Sequence, residues 1–493
     1  MLKATLRCAV LLGLMALVSF VLSVPSFAEV QNVKVGGDVT VRAFHRENLD
    51  LRQEKVEAQD EDDFIMQTTG VNVGADLTEN VGANIRVANE RDWDQTVGEG
   101  AEIALSQAYI TLKELFYAPL TLRIGTQPIV WGRGFIIGSG LLPNVNGIGD
   151  DRNAAITPNE FTDFTAFDAI RATLDLGGVA GMPLTADAVY IQFDENSVTT
   201  QDDVRVFGIN LGTQFDEMGS ELETYYVLQR DTNTDVLGAT RSGALADHVG
   251  SGAVSTLGIR GSAKPADGLQ VWSELAYQFG KRATDPSDLL PAGDSQQAWA
   301  VNLAGDYTFA NVATTPKIGA EWRFYSGKNV HGAVGGWDPI APGYFTTALR
   351  EFQTGLSVAG FYPNDQSCFA GGAASTVGID GAAASRIPCT SAATNQHELA
   401  LYGSLTPIED LTVMPRLSWF WYDVGAWPED KDGTRASKRE SYVGMEWDTV
   451  VNYNYTDDVQ FGFIYALFNP GAAYTNPANS TAQELITSVS VKF

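Results

Sequence analysis

Leu485-Ile486-Thr487-Ser488-Val489-Ser490-Val491-Lys492-Phe493 closes the chain. Leu485, Thr487, Val489, Val491 and Phe493 fall on one side at period two, with Ile486, Ser488, Ser490 and Lys492 on the other. A strand of that pattern ending on an aromatic carboxyl terminus predicts lipid on one face and a wetter space on the other. The competing reading is an edge strand of a soluble sandwich. The rest of the chain decides between them.

The same alternation recurs upstream. Val35, Gly37, Val39, Val41 and Ala43 oppose Asp38, Thr40 and Arg42. Thr69, Val71, Val73, Ala75 and Leu77 form the next apolar set, and Val81, Ala83, Ile85 and Val87 oppose Asn84 and Arg86. After Glu102 to Lys113, Leu120, Leu122 and Ile124 oppose Arg123 and Gln127. Thirteen more stretches follow, from 167–176 to 485–493, for eighteen strands in all. Their connections alternate short and long, which predicts short periplasmic turns and long extracellular loops. A soluble sandwich has no reason to alternate so regularly. The expected fold is all-β: a closed antiparallel transmembrane barrel of about eighteen strands.

The amino terminus has the form of a secretory signal. Lys3 and Arg7 precede an apolar run from Cys8 to Val24, and Ser26-Phe27-Ala28 supplies small residues before Glu29. Residues 1–28 are therefore expected to be cleaved, leaving one barrel domain over 29–493. Losing Lys3 and Arg7 takes the net charge from -28 to -30. Such an acidic chain offers no basic face to nucleic acid. Cys368 and Cys389 share one Gly/Ala/Ser-rich segment and are expected to form a disulfide in an oxidising compartment. Nothing suggests a cofactor or a metal site. The run Asp60-Glu61-Asp62-Asp63 reads as solvated charge, with a divalent cation beside lipopolysaccharide as the alternative.

With the apolar parity facing lipid, the other parity becomes the lumen wall. Arg42, Arg86, Arg123, Arg171, Arg260, Arg323 and Arg416 fall there, with Asp38, Glu90, Asp175, Glu223, Glu274, Asp306, Glu321, Glu446 and Asp448. Arginine facing lipid at mid-depth would cost about 2–4 kcal/mol, so this shared parity is informative. The arginines either pair with the carboxylates and brace the wall, or escape pairing and form a positive constriction that selects anions. An eighteen-strand barrel needs a folded-in loop to narrow it. Trp131-Gly132-Arg133-Gly134-Phe135-Ile136-Ile137-Gly138 and residues 327–345 are the candidates. Pro415 lacks a ladder donor and predicts a local bulge or bend. The four histidines form no repeated motif, and no nucleophile–base pair is legible, so no enzyme is expected.

Leu122-Arg123-Ile124-Gly125-Thr126-Gln127 followed by Trp131-Gly132-Arg133-Gly134 resembles a strand-then-glycine signature of the alginate-export outer-membrane porin family. Phe167-Asp168-Ala169-Ile170-Arg171-Ala172 resembles that family's next strand. Val443-Gly444-Met445-Glu446-Trp447-Asp448, through Val451-Asn452-Tyr453 to Ala466-Leu467-Phe468-Asn469-Pro470-Gly471, resembles its carboxyl-terminal hairpin. The resemblance implies a Gram-negative outer-membrane channel with an arginine-lined, anion-selective pore. It best supports Arg123, Arg171, Glu446 and Asp448 as pore residues. Thr126 stands where members commonly carry arginine, which would leave one lumen-wall charge absent.

The expected function is passive passage of anionic solutes or an acidic, alginate-like polysaccharide. The alternatives are a general-diffusion porin, or a sheath around a partner protein that co-purification would reveal. Expected partners are outer-membrane lipid and lipopolysaccharide, the anionic permeant, and the barrel-assembly machinery reading Phe493.

Overall fold

The structure is a computed structural model. It describes residues 32–49, 51, 61–93, 103–117, 119–139, 161–194, 204–215, 219–231, 252–281, 295–327, 336–351, 394–426, 440–473 and 480–493. The signal segment and the Cys368–Cys389 pair lie outside the described residues.

Eighteen antiparallel strands make one sheet. They begin with β1 (Asn32–Glu47), β2 (Glu61–Thr78), β3 (Val81–Asp92), β4 (Ala104–Leu112), β5 (Leu120–Gln127) and β6 (Phe167–Asp175). Then come β7 (Leu184–Asp194), β8 (Val204–Phe215), β9 (Ser220–Asp231), β10 (Gly252–Ala266), β11 (Leu269–Lys281) and β12 (Ser295–Thr308). The last are β13 (Lys317–Tyr325), β14 (Gln396–Ile408), β15 (Leu411–Ala426), β16 (Glu440–Asn454), β17 (Val459–Pro470) and β18 (Ala482–Lys492). Each strand pairs with its sequence neighbours, and β18 returns to β1 over Asp38↔Lys492 to Glu47↔Gln483. No edge remains unpaired, which is what a sheet surrounded by hydrocarbon requires. Phe493 completes the seam: its N–H donates to the Gly37 carbonyl at 3.0 Å, and the Gly37 N–H donates back at 2.8 Å.

Parity separates two environments. Val73, Ile85, Ile124, Ile170, Ile209, Leu257, Leu303, Leu401 and Val489 are all exposed on the outer face. Aromatic clusters bracket this apolar band. At the loop end, Tyr277 packs on Trp299 at 4.4 Å and Phe324 on His397 at 4.6 Å. At the turn end, Tyr307 meets Phe309 at 4.8 Å and Tyr453 meets Phe461 at 6.5 Å. Amphipathic rings at both depths are the usual anchors to the two interfaces.

Inward positions often pair a glycine with an aromatic ring from the next strand. A Cβ on Gly258 would lie 2.1 Å from the Tyr225 ring, and one on Gly319 would lie 2.4 Å from the Tyr402 ring. Only a residue without a side chain lets those rings lie against the wall. Pro415, where a bulge or bend is expected, interrupts the β14–β15 ladder, and the register of that ladder shifts just beyond the gap, between Leu405 and Ile408. The β14–β15 ladder skips Gly403/Pro415 and Ser404/Met414 and resumes in register at Leu405↔Val413. The missing N–H interrupts pairing there without adding a residue.

Candidate functional site

Three loop segments fold inward and clothe the wall. Residues 128–139 leave β5 and cross the inner faces of β6 to β10. Trp131, Phe135, Ile136 and Ile137 there join inward side chains Val189, Val206, Tyr225, Val227 and Ala298 in one apolar cluster. The Trp131 ring sits over Gly208, where a Cβ would come within 2.5 Å. Residues 336–351, between β13 and β14, form a strap. It meets the first segment through an Ile137↔Ala341 bridge and a Gly343 N–H to Gly134 carbonyl bond of 2.8 Å. Both candidate loops of the sequence thus enter the barrel together. The third segment, 161–164, lies against β1 to β4, with Phe161 packed on Phe44.

The strap is held at both ends, and in its middle Arg323 on β13 donates to the Tyr344 carbonyl at 3.1 Å and to the Thr346 hydroxyl at 2.7 Å. Gln278 on β11 both donates to the Asp338 carbonyl at 2.6 Å and accepts from its N–H at 2.9 Å. Gln296 on β12 donates to the Gly336 carbonyl at 2.8 Å. At the other end the backbone turns its N–H groups toward carboxylates. Glu446 accepts from Leu349 at 2.6 Å and Arg350 at 2.7 Å, and Asp448 accepts from Ala348 at 3.1 Å. Glu351 accepts from Thr346 and Thr347. Five consecutive N–H groups therefore end on three carboxylates. Glu446 and Asp448 point inward, but the strap covers them (0% and 3% exposed), so they anchor a loop instead of facing open space.

Most inward arginines are paired. Arg86 forks onto Asp163 at 2.8 Å and also reaches Asp38 at 2.8 Å. Arg171 binds Asp187 at 2.8 Å, and Asp187 also accepts from the Trp131 indole at 2.9 Å. Arg260 holds Glu223 at 2.7 Å and Glu221 at 3.0 Å. A linear chain of alternating charge runs through β13 to β15. Glu351 meets Arg323 at 2.6 Å, Arg323 meets Glu398, Glu398 meets Arg416 at 2.7 Å, and Arg416 meets Glu321 at 3.1 Å. Glu321 then lies 3.6 Å from Arg133, which ends the chain. The Arg133 guanidinium is sandwiched by Trp272 at 4.2 Å and Tyr344 at 4.1 Å, leaving its side chain 27% exposed to the lumen.

Two arginines also lie against aromatic rings. Arg42 lies over the Phe161 ring at 4.4 Å and donates to Thr68 at 3.4 Å. Arg123 sits directly opposite Arg171 in the β5–β6 ladder, over the Tyr109 ring at 4.7 Å. Its Nε is buried without a hydrogen-bond partner, and no carboxylate pairs with it among the described residues. Two other expectations change. Thr126 is not on the lumen wall: period two places it with Leu122 and Ile124, and its hydroxyl donates to the exposed Asp168 at 2.6 Å. Asp175 lies at the turn end, where it accepts the Gly177 N–H at 2.8 Å.

Asp163, Asp187, Glu351 and Glu398 were missed among the wall acids. Asp187 and Glu398 share inward parity with Val189 and Ala400, so alternation alone could have found them. Asp163 and Glu351 come from loops, where no period exists to read.

Residues 31–488 match the family model described as Alginate export. The chain belongs to the alginate-export family. Membership makes it an outer-membrane channel barrel rather than an enzyme. Solved structures with the same architecture include OccAB2 of Acinetobacter baumannii, at 10% identity and a TM-score of 0.52, covering 95% of this chain and 99% of that one. A BenF-like porin from Pseudomonas fluorescens Pf-5 matches at 10% identity and 0.50, covering 94% and 100%. OccK8 (OprE) of Pseudomonas aeruginosa matches at 11% identity and 0.50, covering 94% and 98%. At such identities these likenesses concern the fold alone. No curated protein matches the sequence significantly.

Proposed function

We propose that this alginate-export family member is a passive channel for anionic solutes, with an acidic, alginate-type polysaccharide as its permeant class. The observation that carries this reading is Arg123. Its guanidinium is inward and without a carboxylate partner among the described residues, beside a second arginine directly across the ladder. Like charges at directly opposed positions cost energy unless each is neutralised; Asp187 neutralises Arg171, and no carboxylate among the described residues neutralises Arg123. A permeant carboxylate does so, and in a narrow low-dielectric lumen the field of such a cation is felt strongly. Arg133 supplies a second, partly exposed cation on the folded-in loop. The carboxylates elsewhere on the wall, two of them on Arg86 and two on Arg260, keep the binding of a passing polyanion weak, so it is attracted locally and released readily.

Reversal potentials of the purified protein in planar bilayers under a salt gradient test this. Anion preference is expected. Arg123→Ala should reduce it, and Asp187→Asn, which removes the carboxylate from Arg171, should increase it. Cation preference or no preference in the wild-type protein would overturn the reading and leave a general-diffusion porin.

A further inference from the structure

A row of cations crosses the outer face at the loop end of β8 to β11. Arg205 pairs with Arg230 in the β8–β9 ladder, Arg230 with Ala253, and Ala253 with Lys281. Directly opposed residues of antiparallel strands share one face. The exposed Phe207, Tyr226 and Phe279 below them show that this face is the outer one. The row spans three strand spacings of about 4.8 Å each. Arg230 and Lys281 are exposed, and neither has a carboxylate partner among the described residues. Arg205 is steadied by Gln192, whose side-chain oxygen also accepts from Tyr190.

Three features mark this row as a ligand surface. First, Arg230 and Lys281 are exposed cations on one face, with Arg205 directly opposite Arg230 in the ladder, so three positive charges are gathered in one row. Second, this basic strip belongs to a chain of net charge -28. The corresponding outer rim of β1 and β2 carries Glu47, Glu61 and Asp63 around His45 instead, so the rim is polarised. Third, the row lies immediately above the loop-end aromatic cluster of Tyr190, Phe207, Tyr277, Phe279 and Trp299. Those rings mark the boundary between acyl chains and headgroups. Cations one step above that boundary sit at the depth of lipid headgroup phosphates.

We propose that Arg205, Arg230 and Lys281 form a binding site for the phosphate groups of an anionic outer-leaflet lipid, with the aromatic cluster packing on its acyl chains. The cations grip phosphate from the side while the rings fix the depth. The site is separate from the lumen, so it stands or falls independently of the anion-channel reading.

The test is titration of the detergent-solubilised full-length protein with lipopolysaccharide, with its dephosphorylated form and with inorganic phosphate, followed by isothermal calorimetry. The double variant Arg230→Glu/Lys281→Glu changes exposed side chains, and heat-modifiable mobility in gels verifies its barrel. Wild-type protein is expected to prefer the phosphorylated lipid, and the double variant to bind it about thirtyfold more weakly, from typical per-charge attractions at a membrane surface. Equal affinity of the folded variant overturns the proposal. So does equal binding of the dephosphorylated lipid, which would leave acyl packing as the whole interaction. Inorganic phosphate binding as tightly as the lipid would also overturn it, assigning the cations to a soluble anion.

Discussion

Replacing Glu446 by Ala is expected to undock the strap and raise single-channel conductance. Glu446 is fully buried and takes the N–H groups of Leu349 and Arg350 on its carboxylate. Without it, two buried donors lose their acceptor, at about 1–3 kcal/mol each. The strap keeps other ties at this end, among them Arg323 to Glu351 at 2.6 Å and to the Thr346 hydroxyl at 2.7 Å. Asp448 contributes one N–H contact and Glu351 supports the preceding turn. A loss of about 2–6 kcal/mol is large compared with the stability of a docked loop, so the undocked form should become substantially populated. Trypsin provides a second readout, because Arg350 is 1% exposed and out of reach while the strap is seated. Glu446→Gln keeps one acceptor oxygen and should show a smaller effect of the same sign. Unchanged conductance together with unchanged protection at Arg350 would mean that the apolar contacts of Leu349 with Phe420 and Val443 suffice to hold the strap.

Arg323→Met should cost about 3–5 kcal/mol of barrel stability, the usual penalty when one partner of a buried ion pair is removed. Arg323 is 3% exposed and stands between Glu351 and Glu398, each 1% exposed. Its loss leaves two buried carboxylates near each other, with Arg416 still on Glu398 and two backbone N–H groups still on Glu351. The midpoint of urea unfolding, followed by heat-modifiable mobility in detergent, measures this. Adding Glu398→Gln should recover part of the loss, because it removes one of the stranded charges. A double variant that is merely the sum of the singles would show that the alternating chain is a set of independent contacts. The chain also joins elements distant in sequence: Glu351 belongs to the strap and Arg133 to the first inserted loop. Weakening its centre should therefore loosen both segments.

The barrel itself was legible because hydrocarbon imposes a simple rule. Every second residue must be apolar over a membrane-thick stretch, and every backbone group must find a partner on the next strand. Val71 and Val73, Ile209 and Leu211, and Val489 and Val491 obey that rule without reference to any neighbour. The same rule places the arginines inside and, by its parity with Leu122 and Ile124, Thr126 outside. The neighbours of each arginine are another matter. Arg171 meets Asp187 because β6 and β7 are staggered so that these two side chains approach. Arg86 meets Asp163 and Arg323 meets Glu351 because two loops come back into the lumen.

Sequence alone fixed which residues face lipid and which face the lumen, since parity is a local property of an extended chain. The state of each lumenal charge was decided by tertiary structure. Whether an arginine is neutralised, as Arg323 is, or lies over a ring without a carboxylate among the described residues, as Arg123 does, depends on carboxylates up to many strands or loops away. Coulombic pairing acts through space over a few ångströms, and no periodicity along the chain encodes that distance.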